Sequence, residues 1–237
     1  ESVEIIGSGS QFGPRKNSQN SSEASAKIAV KHENPKGVGV FLKDATGLGL
    51  SSPPGLSGFA GARPKPSPIL SLFSFLYKKE NVGFTLQFDD APSEPIEIAH
   101  AVSVPSSFAN INVSGPNISN LYKGVQLIEV SLEEIAWGRS GDKGNKANIG
   151  IIARHPNLLP YIWDTFSEEK IVEIFSHFLE NDKIDRHYLP GISGVNYVLH
   201  DVLGGGGTTS LRNDPQGKGY AQILLSCKIS VPKNLLV

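Results

Sequence analysis

The sequence predicts an α+β protein, and three observations carry that reading. An amphipathic helical stripe occupies Ser167 to Leu179, apolar strand-like runs flank it on both sides, and Gly- and Pro-rich polar segments separate the runs. With 25 Gly and 16 Pro in 237 residues, both exceed ordinary usage of roughly 7% and 5%, so loops carry much of the chain.

Taken in order, Val3 to Ile6 and Ala26 to Val30 read as strands, and Pro35 to Asp44 as a short helix opened by its proline and ended near Gly47. A Gly-, Ser- and Pro-rich loop follows from Thr46 to Gly61, long enough to be a lid or a subunit arm. Ile69 to Tyr77 and Val82 to Phe88 favour strands through their β-branched and aromatic content. Ser103 to Asn120 is rich in Ser, Asn and Pro, and a domain boundary is expected just after it, dividing residues 1–123 from 124–237. Val125 to Trp137 and Ile149 to Ala153 read as strands joined by an overlong polar loop, Gly138 to Asn148. In the helix Ser167 to Leu179, Ser167 caps, Glu168 and Glu169 suit the positive end, and Ile171, Val172, Phe175, Phe178 and Leu179 form one stripe. Ile184 to Leu189 returns as a strand. Ile192, Val195, Val198, Leu199 and Val202 fall at helical spacing, stopped by Gly204. A short strand around Ser210, a turn at Asn213 to Lys218, and Tyr220 to Ile229 complete an α+β layer of the ferredoxin-like kind.

Composition excludes several classes. With 22 Lys+Arg against 23 Asp+Glu the chain lacks the basic surplus that sequence-independent nucleic-acid binding needs. Cys227 stands alone, so it forms neither an internal disulfide nor a cysteine metal cluster, which points to a reducing compartment, the cytoplasm. No run approaches the roughly 20 apolar residues of a membrane span, and the polar first 25 residues lack a signal-peptide core. The sequons at Asn20, Asn112 and Asn117 are then chance matches. The chain contains no methionine and opens at Glu1. It is expected to be a piece of something longer, or to carry a modified residue at methionine positions that the sequence omits. A measured mass above 25.4 kDa would support the second.

Three clusters offer chemistry. In Arg139-Ser140-Gly141-Asp142-Lys143-Gly144-Asn145, glycines permit positive φ and close backbone approach, while Arg, Ser, Lys and Asn supply donors to an anion. The spacing is not that of a phosphate-binding P-loop, and a solvated charged hairpin turn is the plain alternative. Gly204 to Gly207, followed by Thr208, Thr209, Ser210 and Arg212, carry an entropy cost of roughly 0.5–1 kcal/mol per glycine in regular structure. That run implies close approach of backbone to a ligand or a neighbouring strand, against the alternative of a flexible connector. His200 is a candidate acid or base beside Asp201, although neighbours on a helix diverge by about 100° and a cationic His suits a helix C-terminus for structural reasons alone. His155, His177 and His187 show no metal-ligand spacing.

At these same residues the chain resembles a known family. Ala136 to Arg154, Tyr188 to Ile192 and Val195 to Gly219 are similar to the ferredoxin-like C-terminal domain of the acyclic terpene utilisation (AtuA-like) family, and Gly58 to Leu76 resembles the end of its larger core. The resemblance implies the remnant of an α/β core domain followed by a ferredoxin-like sandwich. It places the chain in the bacterial breakdown of citronellol, geraniol and related branched acids as CoA thioesters, alongside biotin-dependent acyl-CoA carboxylases, with no particular reaction and no cofactor implied. The family pattern falls on Arg139, Ser140, Gly141, Asp142, Lys143, Gly144 and Asn148, then on His200, Gly204, Gly205, Gly206, Gly207, Ser210 and Arg212. Many relatives carry a hydrophobic residue where Thr208 or Thr209 stands.

Two functions follow. In the first, the SGDKG loop and the glycine run lie together and bind an anionic small molecule such as an acyl-CoA. Arg139, Lys143 and Arg212 then supply charge, and Asp142 and His200 are the acid/base pair. In the second, the chain is a non-catalytic module docking on an acyl-CoA carboxylase or, as a homo-oligomer, on its own copies. A pocket lined by Arg139, Asp142, Lys143 and His200 favours the enzyme; a glycine run buried without a pocket favours the module.

Overall fold

A computed structural model of the chain describes residues 1–15, 22–52, 54–56, 64–97 and 113–236. The sequons at Asn20 and Asn112, part of the Thr46 to Gly61 segment and much of Ser103 to Asn120 lie outside these. Two compact units emerge, residues 1–71 with 114–237, and residues 72–113.

In the larger unit, β1 (Ser2–Ile6) pairs antiparallel with β2 (Ser25–Ala29), Val3 opposite Ile28. Helix α1 (Pro35–Ala45) starts because Asn34 accepts from the Lys36 amide and Pro35 is preset for the first turn. The segment read as a loop from Thr46 holds a further helical turn, α2 (Leu48–Ser51). The smaller unit contains an antiparallel pair, β3 (Phe84–Leu86) and β4 (Glu94–Ile96). The strand expected at Ile69 to Tyr77 does not form. Leu72 and Phe73 are 84% and 83% exposed, and the segment has no partner strand among the described residues to satisfy its backbone.

The remaining chain builds the layered part of the larger unit. The strand expected over Val125 to Trp137 breaks in the middle. After β5 (Leu127–Ser131) the Ser131–Glu134 capping box turns the chain into α3 (Leu132–Ile135) before β6 (Ala136–Lys143) begins. The loop expected over Gly138 to Asn148 is instead mostly strand. β6 and β7 (Lys146–Ala153) pair along their whole lengths, and only Gly144 and Asn145 turn the corner, Gly144 at φ +67°. Helices α4 (Leu159–Thr165) and α5 (Glu168–Phe175) follow, the second capped by Ser167 accepting from the Lys170 amide. Then come β8 (Ile184–Leu189) and β9 (Gly194–Leu199). Here the expected helix through Ile192 to Val202 is overturned: Val195, Tyr197 and Leu199 point inward at period two and are fully buried between β7 and β8. No strand forms around Ser210. Helix α6 (Tyr220–Leu225) and β10 (Lys228–Pro232), antiparallel to β5, finish the unit.

The main sheet runs β6-β7-β9-β8, all antiparallel. On its inner face Ile149, Ile151, Val195, Tyr197 and Leu199 join Ile162, Phe166, Ile171, Phe175 and Leu224 from the helices in one buried cluster. The Tyr197 hydroxyl, inside this core, donates to the Phe166 carbonyl at 2.8 Å. Alternation places Trp137, Arg139 and Lys143 of β6, Asn148, Gly150 and Ile152 of β7, Asn196 of β9 and Leu189 of β8 on the outer face. The fold is α+β.

Candidate functional site

Alternation along β6 divides the SGDKG motif between the two faces of the sheet. Ser140, inward and 6% exposed, donates to the Lys218 carbonyl at 3.1 Å and accepts from the Ala221 amide at 2.9 Å. It therefore fastens the start of α6 to the sheet. Asp142, on the same inner side, lies 3.7 Å from the Lys218 ammonium. Arg139 and Lys143 point outward, exposed, with no side-chain hydrogen bond or ion pair among the described residues. Asn148 donates to Asn196 at 3.2 Å across the outer face.

The hairpin tip and the glycine run are in contact. Gly204, Gly205, Gly206 and Gly207 all take positive φ, at 62°, 97°, 71° and 46°, a conformation that costs other residues roughly 1–2 kcal/mol each. At Gly206 sterics add to this, because a Cβ would stand 2.0 Å from the Gly144 carbonyl oxygen. Asn145 holds the packing. Its side-chain oxygen accepts from the Gly205 amide at 2.7 Å, its backbone carbonyl from the Val202 amide at 3.1 Å, and its amide nitrogen donates to Asp201 at 3.1 Å. Arg212 is used inside the same fold: its guanidinium donates to the Val202 carbonyl and, at 3.0 Å, to the Phe178 carbonyl, 5.2 Å above the Phe178 ring. The Ser210 hydroxyl accepts from the Arg212 amide at 3.2 Å.

His200 follows β9 rather than ending a helix. It is 7% exposed, and its Nε2 lies 2.7 Å from Asp185 on the neighbouring strand β8. This hydrogen bond, with the His200 charge adding to it, holds the Asp185 carboxyl below its ordinary 3.8. Asp201 is turned away, accepting from Asn145 and, at 2.9 Å, from Asn181. The structure thus pairs His200 with Asp185 and Asp142 with Lys218; no hydrogen bond joins Asp142 to His200 among the described residues. Sequence reasoning missed Asp185, since only strand register sets β8 beside β9. Asn145 was within reach, lying inside the motif already singled out.

Two cavities flank these elements. A cleft of about 720 Å³ lies between β2, the start of α1, residues 65–69 and the loop Thr208 to Leu211 that leaves the glycine run. Its lining includes the apolar Ile28, Val38, Phe41, Leu42 and Ile69 and the charged Lys31, Glu33 and Lys65. Lys31 donates to the Thr209 carbonyl at 3.2 Å, and Thr208 donates to the Leu70 carbonyl, so the loop is tied to the opposite wall. A smaller groove, about 280 Å³, lies on the outer face of the main sheet. Asp142, Lys143 and His200 line neither cavity. Among the described residues, no group of three or more His, Cys, Asp or Glu side chains is placed to hold a metal ion, and no helix is long and apolar enough to cross a membrane.

Comparison with known proteins agrees with this architecture. Residues 130–230 match the AtuA ferredoxin-like domain, and residues 1–88 match the acyclic terpene utilisation family protein AtuA. The chain belongs to the AtuA family. No curated protein and no solved structure matches it. Membership gives the chain a role in acyclic terpene utilisation. The hairpin, His200, the glycine run and Arg212 all fall within the matched ferredoxin-like domain, so the contact between hairpin tip and glycine run is a contact inside that AtuA domain.

Proposed function

We propose that this AtuA protein binds an anionic small molecule, an acyl-CoA thioester of a branched acid, in the cleft into which the glycine run leads. The cleft carries this reading: its volume lies within the roughly 300–1,000 Å³ of small-molecule sites, and its lining joins apolar side chains to two cations, Lys31 and Lys65, against one anion, Glu33. Lys65 has no ion pair among the described residues, so its charge is free to meet a phosphate. Ile28, Phe41, Leu42 and Ile69 would bury the acyl chain. The hairpin and glycine run act as the frame, with Gly144 and Asn145 fixing Gly205 and Gly206 and so the loop Thr208 to Leu211. Under this reading Arg212 supports the binding loop from behind, Ser210 lines the cleft, and His200 with Asp185 is the acid/base group nearest a conventional dyad.

Titration calorimetry with a branched acyl-CoA tests it. Lys65→Ala is expected to weaken binding by about tenfold to a hundredfold, the loss of a charge-assisted hydrogen bond, while Lys143→Ala leaves it unchanged. Equal affinity of wild type and Lys65→Ala would remove the cleft from consideration.

A second reading is a non-catalytic assembly module that docks on an acyl-CoA carboxylase or on a second copy. Ser140, Asn145 and Arg212 favour it, because each is consumed in backbone contacts within the fold. Absence of any saturable acyl-CoA binding, together with a concentration-dependent mass in light scattering, would select this reading.

A further inference from the structure

Among the described residues four buried side-chain polar atoms have no hydrogen-bond partner. Three of them, Ser10 Oγ, Arg15 Nη1 and His177 Nδ1, belong to one place, where the 3₁₀ turn Ser10–Arg15 meets the chain just after α5. Buried polar atoms are almost always paired, because burial has stripped them of water. Three such atoms at one junction call for a shared partner.

The turn itself builds the site. Gly13, at φ +54°, stands over the imidazole, where an added Cβ would lie 2.4 Å from both Cγ and Nδ1 of His177 and 2.8 Å from Cδ2. Only glycine lets the backbone cover that ring so closely. The Phe178 ring lies beside it, 4.0 Å away between centroids. His177 Nε2 is 2.9 Å from the Gln11 carbonyl, which can only accept, so Nε2 carries the proton of the neutral ring and Nδ1 a lone pair. Burial, and then the charges of Arg212 and Arg15, hold the imidazole below its ordinary 6.5 against the bond to Gln11. The Arg15 guanidinium also reaches the buried Cys227 thiol.

The two protonation states of His177 suit different guests. With the ring neutral, Nδ1 accepts while Arg15 donates, and a water molecule satisfies both. Once the ring takes a second proton, Nδ1, Arg15 Nη1 and the Ser10 hydroxyl can all donate, two of them from cations. The nearby carboxylates are engaged elsewhere: Glu4 of β1 accepts from Gln11 and from the Asn213 amide, and Glu173 of α5 from Lys170. Arg212, on the loop after the glycine run, adds a further positive charge. Three donors in a cationic surrounding select an anion. Closed off from solvent, they can share only a guest of single-atom size.

We propose that Ser10, Arg15 and His177 form a binding site for one halide ion, chloride, which enters together with a proton on His177 Nδ1. Held there, the ion fastens the N-terminal turn, and with it β1 and β2, to the layered part of the unit. The site shares no residue with the cleft and does not depend on what the cleft binds.

Following the His177 ring by NMR through a pH titration of the full chain tests the site, with sodium chloride compared against sodium gluconate at equal ionic strength. Chloride is expected to raise the His177 midpoint by about one pH unit, tenfold in proton affinity, and gluconate, too bulky to enter, to leave it unmoved. In thermal melts chloride is expected to stabilise the protein at about pH 5.5 and not at about pH 8. Arg15→Gln and His177→Gln are each expected to abolish that stabilisation. If Arg15→Gln fails to melt cooperatively, Ser10→Ala takes its place, with chloride affinity weakened about tenfold. A midpoint that chloride and gluconate move alike reports screening, and one that neither moves leaves water as the occupant; either result overturns the proposal. Chloride stabilisation that persists undiminished in any of these variants places the ion elsewhere and overturns it as well.

Discussion

Two parts of the larger unit are held in different ways. Every buried apolar side chain among the described residues comes from residues 130–231, while the described residues before Ser71 bury only the polar Glu4. The first 15 residues meet the layered part through few contacts. Phe12 packs on the core, Glu4 accepts from the Asn213 amide at 2.6 Å, and the His177 ring stands 2.9 Å from the Gln11 carbonyl, directly under Gly13. Val3 and Val40 remain 64% and 62% exposed. The difference teaches where cooperativity resides, because opening free energy follows buried apolar contact, and the β1–β2 pair has little.

The sharpest test of that contrast is a matched pair of truncations. Phe175→Ala, in the core, is expected to cost about 3–5 kcal/mol in denaturant unfolding, whereas Val40→Ala changes stability by less than about 0.5 kcal/mol. Similar losses at both positions would mean that the two parts share one core.

Next in size is the glycine run, where the layered part meets itself. Gly206→Ala must relieve both a positive φ and a contact with the Gly144 carbonyl, an expected loss of about 2–4 kcal/mol. At Gly207 the φ is also positive but the space is open, so alanine is expected to cost only about 1 kcal/mol. Thermal melts of the two variants that coincide would show that close packing onto the hairpin is not the reason for the run.

The smallest expected effect lies at the junction itself. Burial pushes the His177 imidazole below its ordinary 6.5, outweighing the bond to Gln11, and its Nδ1 is buried without a partner. A depressed folded-state value favours the neutral ring. The stability it contributes is present above pH 6.5 and is lost as pH falls from there toward the folded-state value. Protection factors of the β1 and β2 amides, that is, exchange corrected for its intrinsic pH dependence, are expected to fall as pH drops below 6.5. His177→Gln should flatten that dependence; a profile identical to wild type would place the pH sensitivity elsewhere.

How far the sequence reads true depends on the same division. The α5 stripe was legible because its cap and its apolar face are local, and β8 because its partners bury one side of a short run. The segment Ile192 to Val202 misled, since Val195, Leu199 and Val202 fit a helical spacing as well as they fit a buried central strand. Only the sheet's hydrogen bonds separate the two readings. Ile69 to Tyr77 misled for the opposite reason: strand propensity without a neighbour leaves backbone groups unpaired.

The candidate sites divide likewise. The two glycine motifs and their family were legible as residue types at fixed spacing, because positive φ and backbone proximity demand glycine wherever the chain places them. Tertiary structure alone decided that Gly206 rests on Gly144, that His200 faces Asp185, that Arg212 is spent on carbonyls, and that Arg139 stands free beside an apolar groove. Each of these is a contact between residues far apart in sequence, and such contacts are set by strand register and packing, which no local spacing encodes.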